Sequence, residues 1–279
     1  YEGGSHLPDI FLFKPVFSND DLVGYLCAMT HQTDIGGRVA GGNACDSTEI
    51  YQEGLRIPPL KLYEKGYPND PLFRLLEKAV RVPAKVLGDV QGQLAALDFG
   101  EREFKKLVRK SGVEQIKQSM DELLVYTEEL TRKGISRFPD GSWSFSDYLD
   151  GDGISDEQIR ISVNLTKQGD QIHVDFSGTS EQCKGAIQPV FATSKAMVYA
   201  VLRSVLGSMG YDVPNTAGYF RPVTVTAPEG TFVNPLPPAP VAARSLGCLR
   251  VAQTVFGAFA QMLPSEVFAC FGGCELGIS

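Results

Sequence analysis

The run Ile10-Phe-Leu-Phe-Lys-Pro-Val-Phe17, followed by Ser18-Asn-Asp-Asp21 and then Leu22-Val-Gly-Tyr-Leu-Cys-Ala-Met29, decides the first element of the fold. Two short apolar segments flank a cluster of turn formers, which predicts a β-hairpin. A hairpin brings the residues before its first strand beside those after its second. Here those flanks carry the same pattern twice, His6-Leu-Pro-Asp9 and His31-Gln-Thr-Asp34, each a His-x-x-Asp in Gly-rich surroundings. The topology therefore predicts that His6, Asp9, His31 and Asp34 converge at the open end of the hairpin. Imidazole nitrogen with carboxylate oxygen is a donor set suited to Zn or Mn, and a site of few protein ligands leaves room for bound water. The competing reading of each motif is a turn closed by its own side chain.

Working outward, residues 35–71 are rich in Gly and Pro, and Ile57-Pro-Pro-Leu60 cannot be helix interior, so an ordered loop is expected. From Pro71 to Lys133 the apolar spacing turns helical: Leu72, Leu75, Leu76 and Ala79, then Val90, Leu94 and Leu97, then Ile116, Met120, Leu123 and Leu124. Gly88, Gly100 and Gly112 are expected to punctuate these helices. Ser136 to Gly185 alternates as strands do, with Ile159, Ile161, Val163 and Leu165 on one face and a second hairpin through Gln168-Gly-Asp170. A helix over 192–210, a strand in 219–245 and a final helix over 246–263 complete a mixed α+β architecture with β-hairpins and a central helical segment. Two parts are expected, 1–135 with the metal-site hairpin, loops and helices, and 136–279, β-rich with two helices.

Composition bounds the function. The 279 residues are 43% hydrophobic and 21% charged, with 26 basic against 33 acidic residues and a formal charge of −7. That balance and the lack of a dense Lys/Arg run exclude a nucleic-acid surface, and no apolar stretch is long enough to span a membrane. Six cysteines without a Cys-x-x-Cys pair fit free thiols in a reducing, cytoplasmic setting. The abrupt start at Tyr1 and end at Ser279 read as the cut ends of a longer chain.

Other motifs carry weaker expectations. Asp150-Gly-Asp-Gly-Ile-Ser-Asp156 begins like a calcium loop but has Ser155 and Ile161 where that motif needs Gly and Glu, so a solvated turn is expected. Val174-Asp-Phe-Ser-Gly-Thr-Ser180 is either an anion-facing loop around Asp175 or a strand-end turn; it lacks the ending of a P-loop. His173 is expected on the opposite strand face from Val174.

Glu2-Gly-Gly-Ser-His-Leu-Pro-Asp9, His31-Gln-Thr-Asp-Ile-Gly-Gly37, Glu53-Gly-Leu-Arg-Ile-Pro-Pro-Leu-Lys-Leu62, Asp89-Val-Gln-Gly-Gln-Leu-Ala-Ala96, Phe138-Pro-Asp-Gly141, Val174-Asp-Phe-Ser-Gly-Thr-Ser180 and Pro228-Glu-Gly-Thr-Phe-Val-Asn-Pro235 together resemble the hydantoinase B/oxoprolinase family. The resemblance runs in order from the first residue to about Arg244. It implies the B subunit of an ATP-dependent cyclic amidohydrolase of the N-methylhydantoinase or 5-oxoprolinase kind, related to subunits of acetone and acetophenone carboxylases. It further implies an A-like partner that uses ATP and Mg to phosphorylate a small cyclic amide, while the B part holds a divalent metal whose bound water completes ring opening. His6, Asp9 and His31 match the family's ligands; a further carboxylate would lie upstream of the first motif, with Asp34 as the alternative. Arg244, Arg56 or Lys61 are candidates to steady phosphate or product. Gln188 stands where the resemblance leads one to expect Asn. A carboxylase subunit and a non-catalytic assembly scaffold are the other readings.

Overall fold

The structure, a computed structural model, describes residues 1, 3–4 and 6–267. The chain forms two compact units, one of His6–Ala44 and Tyr51–Met120, the other of Tyr1–Ser5, Cys45–Ile50 and Asp121–Ser279. Runs of strands and runs of helices follow one another, β-hairpin, helices, then a sheet with two further helices, the segregation that marks an α+β chain.

In the first of these units, β1 (Asp9–Ser18) and β2 (Asp21–His31) form the expected antiparallel hairpin, in register from Asp9↔His31 to Ser18↔Asp21 with a bulge at Val16/Phe17. Asn19 takes a positive φ of 53° in the turn, a conformation that Asn tolerates better than most residues. Alternation splits the hairpin into two faces. Phe11, Phe13, Phe17, Tyr25 and Met29 are exposed and Val16 is buried, while Val23, which shares the parity of Tyr25 and Met29, is buried because it is the extra residue at the bulge. Behind the hairpin lies α2 (Pro83–Ser111), whose buried Gln93 donates to the carbonyls of Ile10 (2.8 Å) and Ala28 (3.0 Å) and so ties both strands to one helix.

The helix α1 (Asp70–Ala79) starts where Asn69 accepts a hydrogen bond from the Leu72 amide, with Pro71 in its first turn. Leu76 and Val80 then meet Val86 and Val90 of α2, with Leu12 and Leu94 packed around them. Between α1 and this unit's loops lie only two-residue strands, β3 (Tyr63–Glu64) and β4 (Tyr67–Pro68). Of the three glycines expected to break the helices, only Gly112 does so, at φ 83°, between α2 and α3 (Val113–Ile135). Gly88 and Gly100 lie inside a continuous 29-residue helix. At Gly100 a Cβ would stand 3.3 Å from Leu26 Cδ1, so this glycine marks close approach to β2 rather than a break.

In the second unit a four-stranded sheet has the order β5-β6-β7-β8, where β5 is Gly141–Leu149, β6 Ile159–Gln168, β7 Gln171–Asp175 and β8 Val223–Thr226. The first three strands are antiparallel, and β7 pairs with β8 in parallel. A parallel pair needs a long crossover, and α4 (Phe191–Ser208) supplies it. The strand expected within 219–245 is thus only four residues long, because Pro228, Pro235, Pro237, Pro238 and Pro240 remove amides that a longer ladder would use. Ile159, Ile161, Val163 and Leu165 face the core with Val174, Leu202, Leu206, Val251, Val255 and Phe259, the last three from α5 (Arg244–Met262). Gly257 lets α5 lie on β5: a Cβ there would come within 2.4 Å of the Phe145 ring.

Candidate metal centre

The hairpin register does what the sequence spacing implies. Asp9 and His31 are paired across the open end, and the Gln32 amide donates to the Pro8 carbonyl at 2.8 Å, extending the closure by one step. The Asp9 amide donates to the His6 carbonyl at 3.1 Å, a tight turn that swings His6 back over Asp9. As a result one ligand atom from each of His6, Asp9 and His31 lies within 4.8 Å of the others. His6 Nε2 stands 3.4 Å from Asp9 Oδ1, and the rings of His6 and His31 are 4.6 Å apart at 48°. A tetrahedral site with bonds of about 2.1 Å separates neighbouring donors by roughly 3.4 Å, so the His6–Asp9 pair already has a ligand-like spacing. Asn43 Oδ1 lies 3.2 Å from His6 Nδ1, on the far side of the ring.

Asp34 is placed elsewhere. Its carboxylate is 2% exposed and accepts from the Arg81 amide at 2.6 Å, from Arg81 Nη1 at 2.9 Å and from the Gly41 amide at 3.3 Å. Burial alone would raise its pKa; the hydrogen bonds from Arg81 and Gly41 outweigh that and hold the group below the ordinary carboxylate value. Arg81 also donates to the carbonyls of Gly36, Gly37 and Val39. One guanidinium therefore cradles the loop that runs from His31 to Asn43. Neither Arg81 nor Asn43 stands out in the sequence: Val80-Arg-Val-Pro83 looks like an interhelical linker, and Asn43 follows two glycines as any turn residue does.

The remaining candidates are structural in their contacts. Asp152 is buried, not part of a solvated turn: Ile154 and Ser155 amides donate to Oδ1, and those of Lys184 and Gly185 to Oδ2. Burial again opposes ionisation, and these amides more than offset it, keeping the pKa low. Such a carboxylate binds two stretches of its own chain. Asp175 accepts from Ser177 and Thr226, the geometry of a strand-end turn. His173 faces away from buried Val174 and meets Thr226 Oγ1 at 2.9 Å. Arg244 is buried with Nε donating to Val241, Arg56 lies over the Tyr51 ring, and Lys61 pairs with Glu64. Gln188 joins Cys183 and Gly185 to Pro240 through its amide. Among the described residues no disulfide joins Cys27, Cys45, Cys183 or Cys248; Cys270 and Cys274 lie outside the described residues. Burial pushes the Cys183 thiol up to about 12, away from reactivity. Among the described residues no helix is long and apolar enough to cross a membrane.

The model of the Hydantoinase B/oxoprolinase family matches residues 1–278. A protein described as the B subunit of a D-/L-hydantoinase, from Pseudomonas sp. (strain NS671), is 33% identical over 99% of this chain and 48% of its own length. The beta subunit of the caprolactamase of Pseudomonas jessenii is 32% identical over 96% of this chain and 46% of its own. The crystal structure of the ATP-dependent caprolactamase of Pseudomonas jessenii superposes with a TM-score of 0.86 at 33% identity, covering 94% of this chain and 45% of that one. A nucleotide-free acetone carboxylase structure gives a TM-score of 0.79 at 15% identity, over 95% of this chain and 37% of that one, and shows a shared fold. The chain spans a little under half the length of these hydantoinase and caprolactamase relatives.

Proposed function

The chain belongs to the hydantoinase B/oxoprolinase family, and on that premise we propose that it is the metal-holding part of a B subunit that opens a small cyclic amide in an ATP-dependent reaction. The observation that carries the reading is the convergence of His6, Asp9 and His31. Relatives named for hydantoinase and caprolactamase activity support the amide-hydrolase class.

The three side chains fit a divalent cation by chemistry as well as by position. Two neutral imidazoles and one carboxylate supply borderline donors and a single negative charge, the set that suits Zn or Mn better than a hard, all-oxygen ion. Three protein ligands leave coordination positions for substrate or solvent. When bound, such a cation supplies Lewis acidity toward carbonyl or phosphoryl oxygen and lowers the pKa of water. His31 is exposed and His6 and Asp9 are partly so, which leaves the group accessible to a small molecule. Asp9 places its negative charge beside His6, favouring a cationic occupant. The A-like partner, on this reading, uses ATP and Mg to phosphorylate the amide oxygen, so that an otherwise inert carbonyl carbon becomes open to water. The partner's part is needed because an unactivated amide resists hydrolysis at neutral pH.

The test is reconstitution of the full-length B subunit with its ATP-binding partner, scoring ring opening of small lactams and imides together with metal content. His31→Ala is expected to lose stoichiometric Zn or Mn and to lower ATP-coupled turnover by at least about 100-fold, as removal of a ligand should. Unchanged turnover in that variant would overturn the catalytic role. A strict requirement for bicarbonate would overturn the hydrolase class in favour of a carboxylase.

A further inference from the structure

We propose that Asn43, set in place by the Asp34–Arg81 clamp, is a positioning residue that holds His6 in the tautomer able to bind a cation. The proposal rests on the reading of His6, Asp9 and His31 as ligands and adds to it the group that decides which ring nitrogen is offered.

A neutral imidazole has one N–H and one lone pair, and only the nitrogen with the lone pair can ligate. His6 Nε2 faces Asp9 Oδ1 at 3.4 Å, while Nδ1 faces Asn43 Oδ1 at 3.2 Å. If the proton sits on Nδ1, it is donated to Asn43, and Nε2 turns its lone pair toward the side where Asp9 and His31 converge. If it sits on Nε2, the N–H points at Asp9 and the ligand position is closed. An oxygen acceptor at Nδ1 selects the first state, which is the usual duty of the group behind a metal-binding histidine.

Asn43 reaches His6 because of the loop that leads to it. Residues 34–42 contain Gly36, Gly37, Gly41 and Gly42 at positive φ, so the backbone doubles back sharply. Space is as restrictive as conformation: a Cβ on Gly37 would fall within 2.6 Å of the Glu53 backbone, and one on Gly36 within 2.5 Å of the Ala79 carbonyl. Ile35, wholly buried, is the apolar anchor of this loop. Arg81 adds polar contacts to that anchor, reaching Asp34 and three loop carbonyls at once. The clamp thus fixes both ends of a segment whose start follows His31 and whose finish presents Asn43.

The experiment is a competition titration of Zn and of Mn against a chromophoric chelator on the full-length protein, with thermal unfolding of the metal-free protein as a control. Asn43 is exposed, so Asn43→Ala is expected to leave the unfolding temperature unchanged and to weaken cation affinity about 10- to 100-fold. Asn43→Asp, which can only accept at Nδ1, is expected to keep or tighten it. Arg81→Met is expected to weaken affinity in the same range, and Arg81→Lys not to restore it, because an ammonium lacks the planar fork that spans these acceptors. Affinity in Asn43→Ala within twofold of the parent, or an equal loss in Asn43→Asp, would overturn the positioning role. A parent protein that binds no cation, or a His31→Ala variant that binds as well as the parent, would instead overturn the metal reading and this inference with it.

Discussion

Asp34 accepts from the Arg81 and Gly41 amides and from the Arg81 guanidinium, whereas Asp9 faces the ring of His6. The two residues close identical His-x-x-Asp patterns, yet their donors assign them different work. A carboxylate already filled by two amides and a guanidinium has little to offer a cation. Asp34→Ala should destabilise the protein by about 2–3 kcal/mol in urea unfolding, below the ~3–5 kcal/mol of a fully buried pair because the Arg81 side chain is 43% exposed. The pH dependence has a definite sign. The folded pKa of Asp34 lies below the unfolded value of about 3.9, so its contribution is present above that value and is lost as pH falls through the folded pKa. An acid titration of stability in the parent and in Asp34→Ala should therefore converge at low pH. Curves that remain parallel down to pH 2 would show that the carboxylate charge is not what the clamp uses.

Among the elements, the β1–β2 hairpin was the most legible, because the period of two and a cluster of turn residues act within about twenty neighbours and need no distant partner. Its legibility extended to Asp9 and His31, which register pairs, and to His6, which a local turn folds back over Asp9. Asp34 was not legible in the same way: three residues beyond the strand it is directed by Arg81, which lies 47 positions further along the chain. The helices were legible in their apolar stripes and misread at their glycines. Local propensity charges a helical glycine about 1 kcal/mol, but α2 is held by Leu97, Val90 and Val86 along its length, and this packing outweighs the local cost. Gly88 and Gly100 then make opposite predictions. Gly88 has nothing within 4 Å of an added Cβ, so Gly88→Ala should raise stability by about 0.5–1 kcal/mol in urea unfolding. Gly100→Val must displace Leu26 and strain a β-branched rotamer, so it should lower stability. A stabilising Gly100→Val would mean that the helix does not press on β2 as closely as the structure has it.

For the molecule as a whole, the division into two units has a chemical consequence. His6, Asp9, His31, Asn43, Asp34 and Arg81 all belong to one unit, His6–Ala44 with Tyr51–Met120. The larger hydrophobic core, with Leu202, Val251 and Phe259 wholly buried, belongs to the other. The geometry of the candidate ligands is thus set by the hairpin register, the Gly-rich loop and the α1–α2 connection. Leu202→Ala removes a fully buried side chain and should cost about 2–5 kcal/mol of stability, depending on how far the cavity relaxes. Its effect on cation affinity, measured well below the unfolding transition, should stay within about twofold, since Leu202 belongs to the core of the other unit. Val90→Ala offers the contrast. Val90 is buried in the cluster that joins α1 and α2, the segment from which Arg81 projects, so a loosened connection there should reach the clamp. A several-fold loss of affinity with a stability cost of about 0.5–3 kcal/mol is the expected result. If Leu202→Ala weakened cation binding as much as Val90→Ala does, the candidate centre would depend on the whole chain, and a division of labour between a ligand-bearing unit and a separate core would have to be given up.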